Sequence, residues 1–193
     1  IAITGTNGKS TTAKLISDIL SFSKINNFLG GNIGIPLMDF VKHNKKINYH
    51  VLELSSFQLE SAISFKPYVS ILLNIMPDHL DRYKDINEYS LNKEKITNLD
   101  KNSYNIISID DENSCNIFRK NKGFFIPISS KEVDNGIFYN NNCIIDNYFE
   151  INKKTKLNEI SPSLYGSFNM QNIMAAYIIV KILRIKEQNF LKV

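Results

Sequence analysis

The sequence predicts an α/β fold: a mostly parallel sheet flanked by helices, with a small antiparallel β meander toward the C-terminal third. Three observations carry this reading. Short apolar runs rich in β-branched residues alternate with stretches of helical period through residue 128. The first run, Ile1-Ala2-Ile3-Thr4, passes without a break into Gly5-Thr6-Asn7-Gly8-Lys9-Ser10-Thr11 and then into a helical pattern from Thr12. Beyond residue 136 the runs shorten and are separated by Asn-rich turns, the pattern of a meander.

The first eleven residues therefore read as strand, glycine turn and helix start. Such a loop turns its backbone N–H groups inward, and the helix adds the positive end of its dipole, which together make a cradle for phosphate oxygens. Lys9 supplies a point charge for the β- and γ-phosphates of a nucleotide, and the Ser10 hydroxyl suits Mg²⁺. The strict phosphate-loop pattern has a glycine where Ile3 stands, so this is a shortened variant. The alternative is a tight glycine turn with a solvated lysine, which leaves the clustering of Thr6, Asn7, Ser10 and Thr11 without a reason.

Composition bounds the rest. At 193 residues and 43% hydrophobic, the chain can bury one core, and one domain is expected. The balance of 23 Lys+Arg against 19 Asp+Glu is mild and lacks an Arg-rich stripe, which argues against nucleic acid. Cys115 and Cys143 lie far apart without CxxC spacing, so reduced thiols are expected and no zinc site. No apolar run is long enough to span a bilayer and no signal peptide precedes Ile1, so a cytoplasmic protein without a membrane partner is expected. A chain that opens directly on the strand feeding its phosphate loop is expected to be a piece of a longer protein.

In order along the chain, Thr12 to Phe22 places Leu15, Ile16, Ile19, Leu20 and Phe22 at helical spacing for packing on a sheet. Asn26 to Leu29 reads as a strand entering the Gly30-Gly31-Asn32-Ile33-Gly34-Ile35-Pro36 loop, with a helix over Leu37 to Val41. Tyr49 to Leu54 is a strand carrying Glu53 near its carboxyl end, where a buried charge needs a partner and a metal is one way to supply it. Ser55 or Ser56, with Gln58 or Glu60, reads equally as a helix capping box, which explains the serines but not the carboxylate.

Val69 to Leu73 is a strand that leads into a loop bearing His79, so Ser10, Glu53 and His79 are expected at one edge of one parallel sheet. A helix is predicted over Ile86 to Leu99, with Lys93 by default on its solvated face. Strands over Tyr104 to Ile109 and Gly123 to Ile128 flank a helix capped at Asp110-Asp111. The meander strands are Ile137 to Tyr139, Cys143 to Ile145 and Tyr148 to Ile151. A final helix follows, for which Asn169 is a candidate cap.

Four stretches together resemble the Mur ligase family of ATP-dependent enzymes that add amino acids to the peptidoglycan precursor: T-G-T-N-G-K-S-T-T at Thr4 to Thr12, G-G-N-I-G-I-P at Gly30 to Pro36, L-E-L-S-S-F-Q-L-E at Leu52 to Glu60, and N-I-M-P-D-H-L-D-R-Y at Asn74 to Tyr83. The second and third favour the branch that adds D-glutamate to UDP-N-acetylmuramoyl-L-alanine. The first is shared with folylpolyglutamate synthases, which remain the alternative ligase, beside a non-ligating P-loop ATPase and a nucleotide-binding module without turnover.

The resemblance implies a P-loop NTPase-like central domain acting as a monomer on small molecules, without the family's N-terminal UDP-binding and C-terminal amino-acid-binding domains. It implies that Gly5, Thr6, Asn7, Gly8, Lys9, Ser10 and Thr11 hold ATP phosphates, that Ser10 and Glu53 bind one Mg²⁺, and that His79 binds a second. Asn32, Ser55 and His79 would face the UDP-sugar substrate. The Tyr89 to Lys93 spacing matches the family's carbamylated lysine, whose anionic oxygens suit a hard cation. Asn169 and Asn172 match the adenine-side stretch, where Phe168 stands at the family's histidine position, and Met76 stands where a threonine is usual. Catalysis would rest on Lys9, Glu53, His79 and Lys93, and the chain is expected to be inactive alone.

Overall fold

The computed structural model describes residues 1–34, 46–78, 81–157 and 166–192, with the backbone alone at Ser167 and Phe168. The helix expected over Leu37 to Val41 lies outside the described residues. One nine-stranded sheet organises the chain in the order β2-β3-β1-β4-β5-β6-β7-β8-β9. The strands are β1 (Ala2–Thr4), β2 (Asn27–Gly31), β3 (Tyr49–Glu53), β4 (Val69–Leu72), β5 (Tyr104–Ser108), β6 (Phe125–Ser129), β7 (Ile137–Asn140), β8 (Cys143–Asp146) and β9 (Lys153–Lys156). All pairs from β2 to β7 are parallel, and only β7 with β8 and β8 with β9 run antiparallel.

The period-2 alternation of these strands builds apolar packing on both faces of the sheet. Ile3, Ile71, Ile106 and Ile126 pack with Ile16, Ile19 and Leu20 of α1 (Lys9–Phe22) and with Met174 and Ile178 of α5 (Ser167–Ile182). Their strand neighbours Leu72, Ile107 and Phe125 turn to the other face, against Tyr89 of α3 (Ile86–Glu94) and Ile117 of α4 (Glu112–Lys120). Residues 170–180 of α5 are all buried, which fits a helix that is apolar all round. A five-residue helix, α2 (Ser56–Glu60), and a short one, α6 (Glu187–Phe190), complete the layers. Phe22, placed by its spacing on the packed face, is instead 48% exposed, with the Lys192 ammonium 5.6 Å from its ring centre.

The meander is present with one strand moved. Asn141 and Asn142 both take positive φ, 48° and 57°, as the two central residues of a β7–β8 hairpin whose register pairs Asn140 with Cys143. The third strand is Lys153–Lys156 rather than Tyr148 to Ile151. The cause is Asp146: its carboxylate accepts the N–H groups of Tyr148 at 2.9 Å and Phe149 at 2.8 Å, which folds that segment into a turn before it can pair. The other oxygen of the same buried carboxylate accepts the Tyr177 hydroxyl at 3.0 Å, and burial beside that carboxylate raises the phenol's pKa.

Elsewhere the boundaries shift by a few residues. The helix at Ile86 stops at Glu94 rather than Leu99, and the strand at Phe125 is preceded by a 3₁₀ turn over Lys122–Phe124. Asp111, not Asp110, caps α4 by accepting the Ser114 N–H at 2.9 Å. Because Tyr177 is wholly buried, Tyr177→Phe should lower the unfolding free energy by about 1–2 kcal/mol in urea with an unchanged m value. Unchanged stability would mean that this bond does not hold the meander to α5.

Candidate functional site

The winding of the sheet reverses at β1, which lies between β3 and β4, and open α/β sheets bind ligands beyond the strand ends at such a point. Residues Gly5 to Gly8 cross that edge and deliver the chain into α1. Gly8 takes φ 85° at the helix N-cap, and a Cβ there would lie 2.4 Å from Asn172 Oδ1, so only glycine fits. No side chain caps this helix, whose first residues include Lys9, Ser10 and Thr11. The first-turn N–H groups and the dipole thus face the loop without a side-chain cap.

Ser10 and Glu53, which are distant in sequence, meet here. The Ser10 hydroxyl donates to Glu53 Oε2 at 2.7 Å, and the Asn32 amide donates to Oε1 at 3.1 Å. The parallel register places Glu53 level with Ile3 on one side and Gly31 on the other. Gly31, at φ 108°, permits that approach, because a Cβ on it would fall 2.3 Å from the Glu53 carbonyl oxygen. Glu53 is 2% exposed and has two donors but no cation among these contacts. A buried carboxylate of this kind favours an added positive charge.

Two ammonium groups approach the loop from other directions. Lys9 folds back to donate to the Gly5 carbonyl at 3.0 Å and the Thr6 carbonyl at 2.9 Å. Lys93, read by default as solvated, is 1% exposed and donates to the same Gly5 carbonyl at 2.9 Å, with the Tyr89 ring centre 4.7 Å away. Burial, with the Lys9 charge adding to it and Asp78 opposing, lowers the Lys93 amine to about 7. The Lys9 ammonium and the Lys93 amine thus share one carbonyl at the mouth of the loop.

Asn74 and Gln171 hold the loop and were not singled out from the sequence. Asn74 brackets the Asn7 residue, accepting its N–H at 2.8 Å and donating to its carbonyl at 3.2 Å, and it donates to Gln171 Oε1 at 3.3 Å. Thr6 is fixed by its N–H to the Asn74 carbonyl and by its hydroxyl, which accepts the Met76 N–H at 3.0 Å. The available signal was a polar residue directly after an apolar strand that feeds the loop edge.

Asn172 and Asn169 lie on α5. Asn172 Oδ1 accepts the Thr12 hydroxyl at 3.0 Å, and its amide donates to Asn169 Oδ1 at 2.9 Å. Asn169 is therefore inside the helix rather than its cap, a position Gly166 occupies. Ser55 forms the capping box with Gln58: its hydroxyl accepts the Gln58 N–H at 3.2 Å, while Gln58 Oε1 accepts the Ser55 N–H at 3.0 Å. The structure thus bears out the capping reading at Ser55 with Gln58. His79 lies outside the described residues.

The donor set of Ser10 and Glu53 fits a small hard cation. Hydroxyl and carboxylate oxygens suit Mg²⁺, which keeps most of its shell for water and phosphate. Among the described residues no three His, Cys, Asp or Glu side chains form a cage, and no helix is long and apolar enough to cross a membrane.

Comparison with known proteins gives a consistent picture. The family model described as the Mur ligase middle domain matches residues 3–180. A Rickettsia prowazekii protein named UDP-N-acetylmuramoylalanine–D-glutamate ligase is 43% identical over 198 residues, covering 100% of this chain and 43% of that protein. One of the same name from Clostridioides difficile is 39% identical over 188 residues, covering 96% of this chain and 41% of that protein. The chain spans about two fifths of the length of these curated relatives. Among solved structures, MurF ligase from Thermotoga maritima in complex with ADP superposes with a TM-score of 0.72 at 18% identity, covering 100% of this chain and 47% of that one. A crystal structure of MurF from Acinetobacter baumannii gives 0.71 at 20% identity, covering 99% and 44%. These two show that the fold is shared.

The depressed Lys93 amine has a consequence for stability. Between pH 7 and 10.5 the unfolded chain holds a proton on Lys93 that the folded chain has shed, so stability should rise with pH across that window. Lys93→Met should lack that share of the rise when both are unfolded in urea across the window. Equal pH dependence in the two proteins would contradict a depressed amine.

Proposed function

The chain belongs to the Mur ligase family through its middle domain, and from that premise we propose that it is the central ATP-binding unit of an ADP-forming ligase. Its reaction would join D-glutamate to UDP-N-acetylmuramoyl-L-alanine, in the cytoplasm and as a monomer, during synthesis of the peptidoglycan precursor. The names of the curated relatives support the substrates, and the term middle domain supports flanking units that grip the uridine nucleotide and bring the amino acid. Without those units the chain should not ligate.

The observation that carries the reading is the 2.7 Å Ser10–Glu53 contact beside Lys9 at an uncapped helix start. A carboxylate resists attack by an amine because its charge repels the nucleophile and oxide is a poor leaving group. Transfer of the γ-phosphoryl group of ATP to the substrate carboxylate removes both obstacles, and attack by the amine of D-glutamate on the acyl phosphate then releases phosphate. The loop N–H groups orient the triphosphate, and Lys9 exchanges its Gly5 and Thr6 carbonyls for β- and γ-phosphate oxygens. Ser10 and Glu53 would hold Mg²⁺, which supplies charge neutralisation of the transferring phosphoryl group. His79 is proposed for a second ion, with Asn32 and Ser55 toward the UDP-sugar and Asn169 and Asn172 toward adenine.

Lys93 is proposed to be carbamylated. An amine lowered to about 7 is substantially neutral at physiological pH, so its lone pair can attack CO₂, forming the N–C bond and releasing one proton. The product replaces a neutral amine with an anionic oxygen donor near the Lys9 ammonium. Labelled bicarbonate should then give a carbamate carbonyl resonance that is lost in Lys93→Ala, and its absence from active enzyme would end this part of the reading.

Lys9→Ala in the protein that includes the flanking domains should reduce ligation by about 10²-fold or more with the fold intact. Product analysis is the decisive measurement: the unaltered enzyme should yield an amide with ADP and phosphate in equal amounts. Phosphate without amide would make it a hydrolase, and retained ligation in the variant would remove Lys9 from the phosphate site.

A further inference from the structure

We propose that Gln171 is a positioning residue for the phosphate loop: through Asn74 it fixes which way the Asn7–Gly8 peptide faces, and so where the Gly8 N–H points. The inference rests on the nucleotide reading above for its ligand and on hydrogen-bond direction for its geometry. Four groups form a relay from the exposed rim to the loop. Asp110 Oδ2 accepts the Gln171 amide at 2.9 Å, Gln171 Oε1 accepts the Asn74 amide at 3.3 Å, and Asn74 brackets Asn7 with bonds of 2.8 and 3.2 Å. Gln171 is 5% exposed and Asn74 2%, so water is largely excluded from the two middle links.

The polarity of this relay is set at both ends. A backbone N–H only donates and a backbone carbonyl only accepts, so Asn7 requires Asn74 to present its oxygen to one and its amide to the other. At the rim the Asp110 carboxylate is an acceptor, already receiving the Ser129 hydroxyl at 2.7 Å and the Ser130 N–H at 2.9 Å on Oδ1. That requires the Gln171 amide to face Asp110 and its oxygen to face Asn74. The one orientation of Gln171 that satisfies Asp110 is also the one that satisfies Asn74. A flipped Gln171 would set donor against donor at Asn74, and a flipped Asn74 would oppose both backbone groups of Asn7.

The consequence lies in the peptide itself. In a trans peptide the carbonyl of Asn7 and the N–H of Gly8 point to opposite sides. Holding the Asn7 carbonyl on Asn74 turns the Gly8 N–H away from Asn74, where it meets a phosphate oxygen in the proposed reading. The next residue on the same helix secures the other side of the loop, since Asn172 accepts the Thr12 hydroxyl and abuts Gly8. Two consecutive residues at the start of α5 thus set both the direction and the placement of the loop.

The test removes the donor between positions 171 and 110 and then restores a donor–acceptor pair there. Gln171→Glu should face the Asp110 carboxylate with a second acceptor, while Gln171→Glu combined with Asp110→Asn exchanges amide and carboxylate at unchanged net charge: the bond between positions 171 and 110 then runs the other way, and position 171 still presents an oxygen to the Asn74 amide. Two quantities are measured: hydrogen exchange of the Asn7 amide without nucleotide, and the Kd for ATP with Mg²⁺. Gln171→Glu and Gln171→Met should each speed Asn7 exchange and weaken ATP by about tenfold, and the exchanged pair should bring both back to within about threefold of the unaltered protein. Asp110→Asn alone serves as the charge control and should not tighten ATP.

Wild-type exchange and affinity in Gln171→Met, or an exchanged pair no better than Gln171→Glu, would overturn the relay. A gain in ATP affinity from Asp110→Asn that equals the rescue would reduce the effect to charge and overturn it equally. Asn7 exchange that follows the series in a protein that binds no ATP would uphold the relay and refute the nucleotide reading instead.

Discussion

One hydrogen bond, from the Ser10 hydroxyl to the buried Glu53 carboxylate, joins the two halves of the site, and the sheet exists in the form that makes it possible. Ser10 opens α1 and Glu53 closes β3, so they meet only because β3 lies directly beside β1 in parallel register. Moving β3 by one residue would turn the carboxylate to the opposite face. Among the described residues, the buried carboxylate is reached by two neutral donors, the Ser10 hydroxyl and the Asn32 amide.

The opposite charge is arranged a short distance away. Lys9 and Lys93 converge on the Gly5 carbonyl, and the mutual repulsion that helps depress the Lys93 amine would be relieved by an anion between them. The Lys9 ammonium at the loop, next to a buried carboxylate, suits a metal–polyphosphate complex. The place of Lys93 follows from packing: it is driven inward with Tyr89 by the same helix face that covers Leu72 and Ile107.

Much of this was legible in the sequence, because strand and helix period determine which strands are parallel and which ends share an edge. Ile3, Ile71 and Ile106 advertise their strands, and the glycine loop between a strand and a helix announces an anion site. What was not legible depends on contacts made by single polar side chains across long separations. Asp146 captures three N–H groups and moves the third meander strand from Tyr148 to Lys153, although Tyr148 to Ile151 has the better strand composition. Lys93 has nothing local to mark it as buried. Asn74 and Gln171 are separated by 97 positions, and only the fold reveals that one holds the other. The convergence of Ser10 and Glu53 is found, whereas His79, its expected companion, lies outside the described residues.

The central claim is that Glu53 and Ser10 form the protein side of a metal–nucleotide site. Substituting Mn²⁺ for Mg²⁺ and following the bound ion by electron paramagnetic resonance, with and without ATP, in the unaltered protein and in Glu53→Gln, tests it most directly. The bound signal should require ATP and weaken by about tenfold in Glu53→Gln, as expected when one oxygen ligand loses its charge. An identical signal in both proteins, or Mn²⁺ bound equally well without nucleotide, would contradict it.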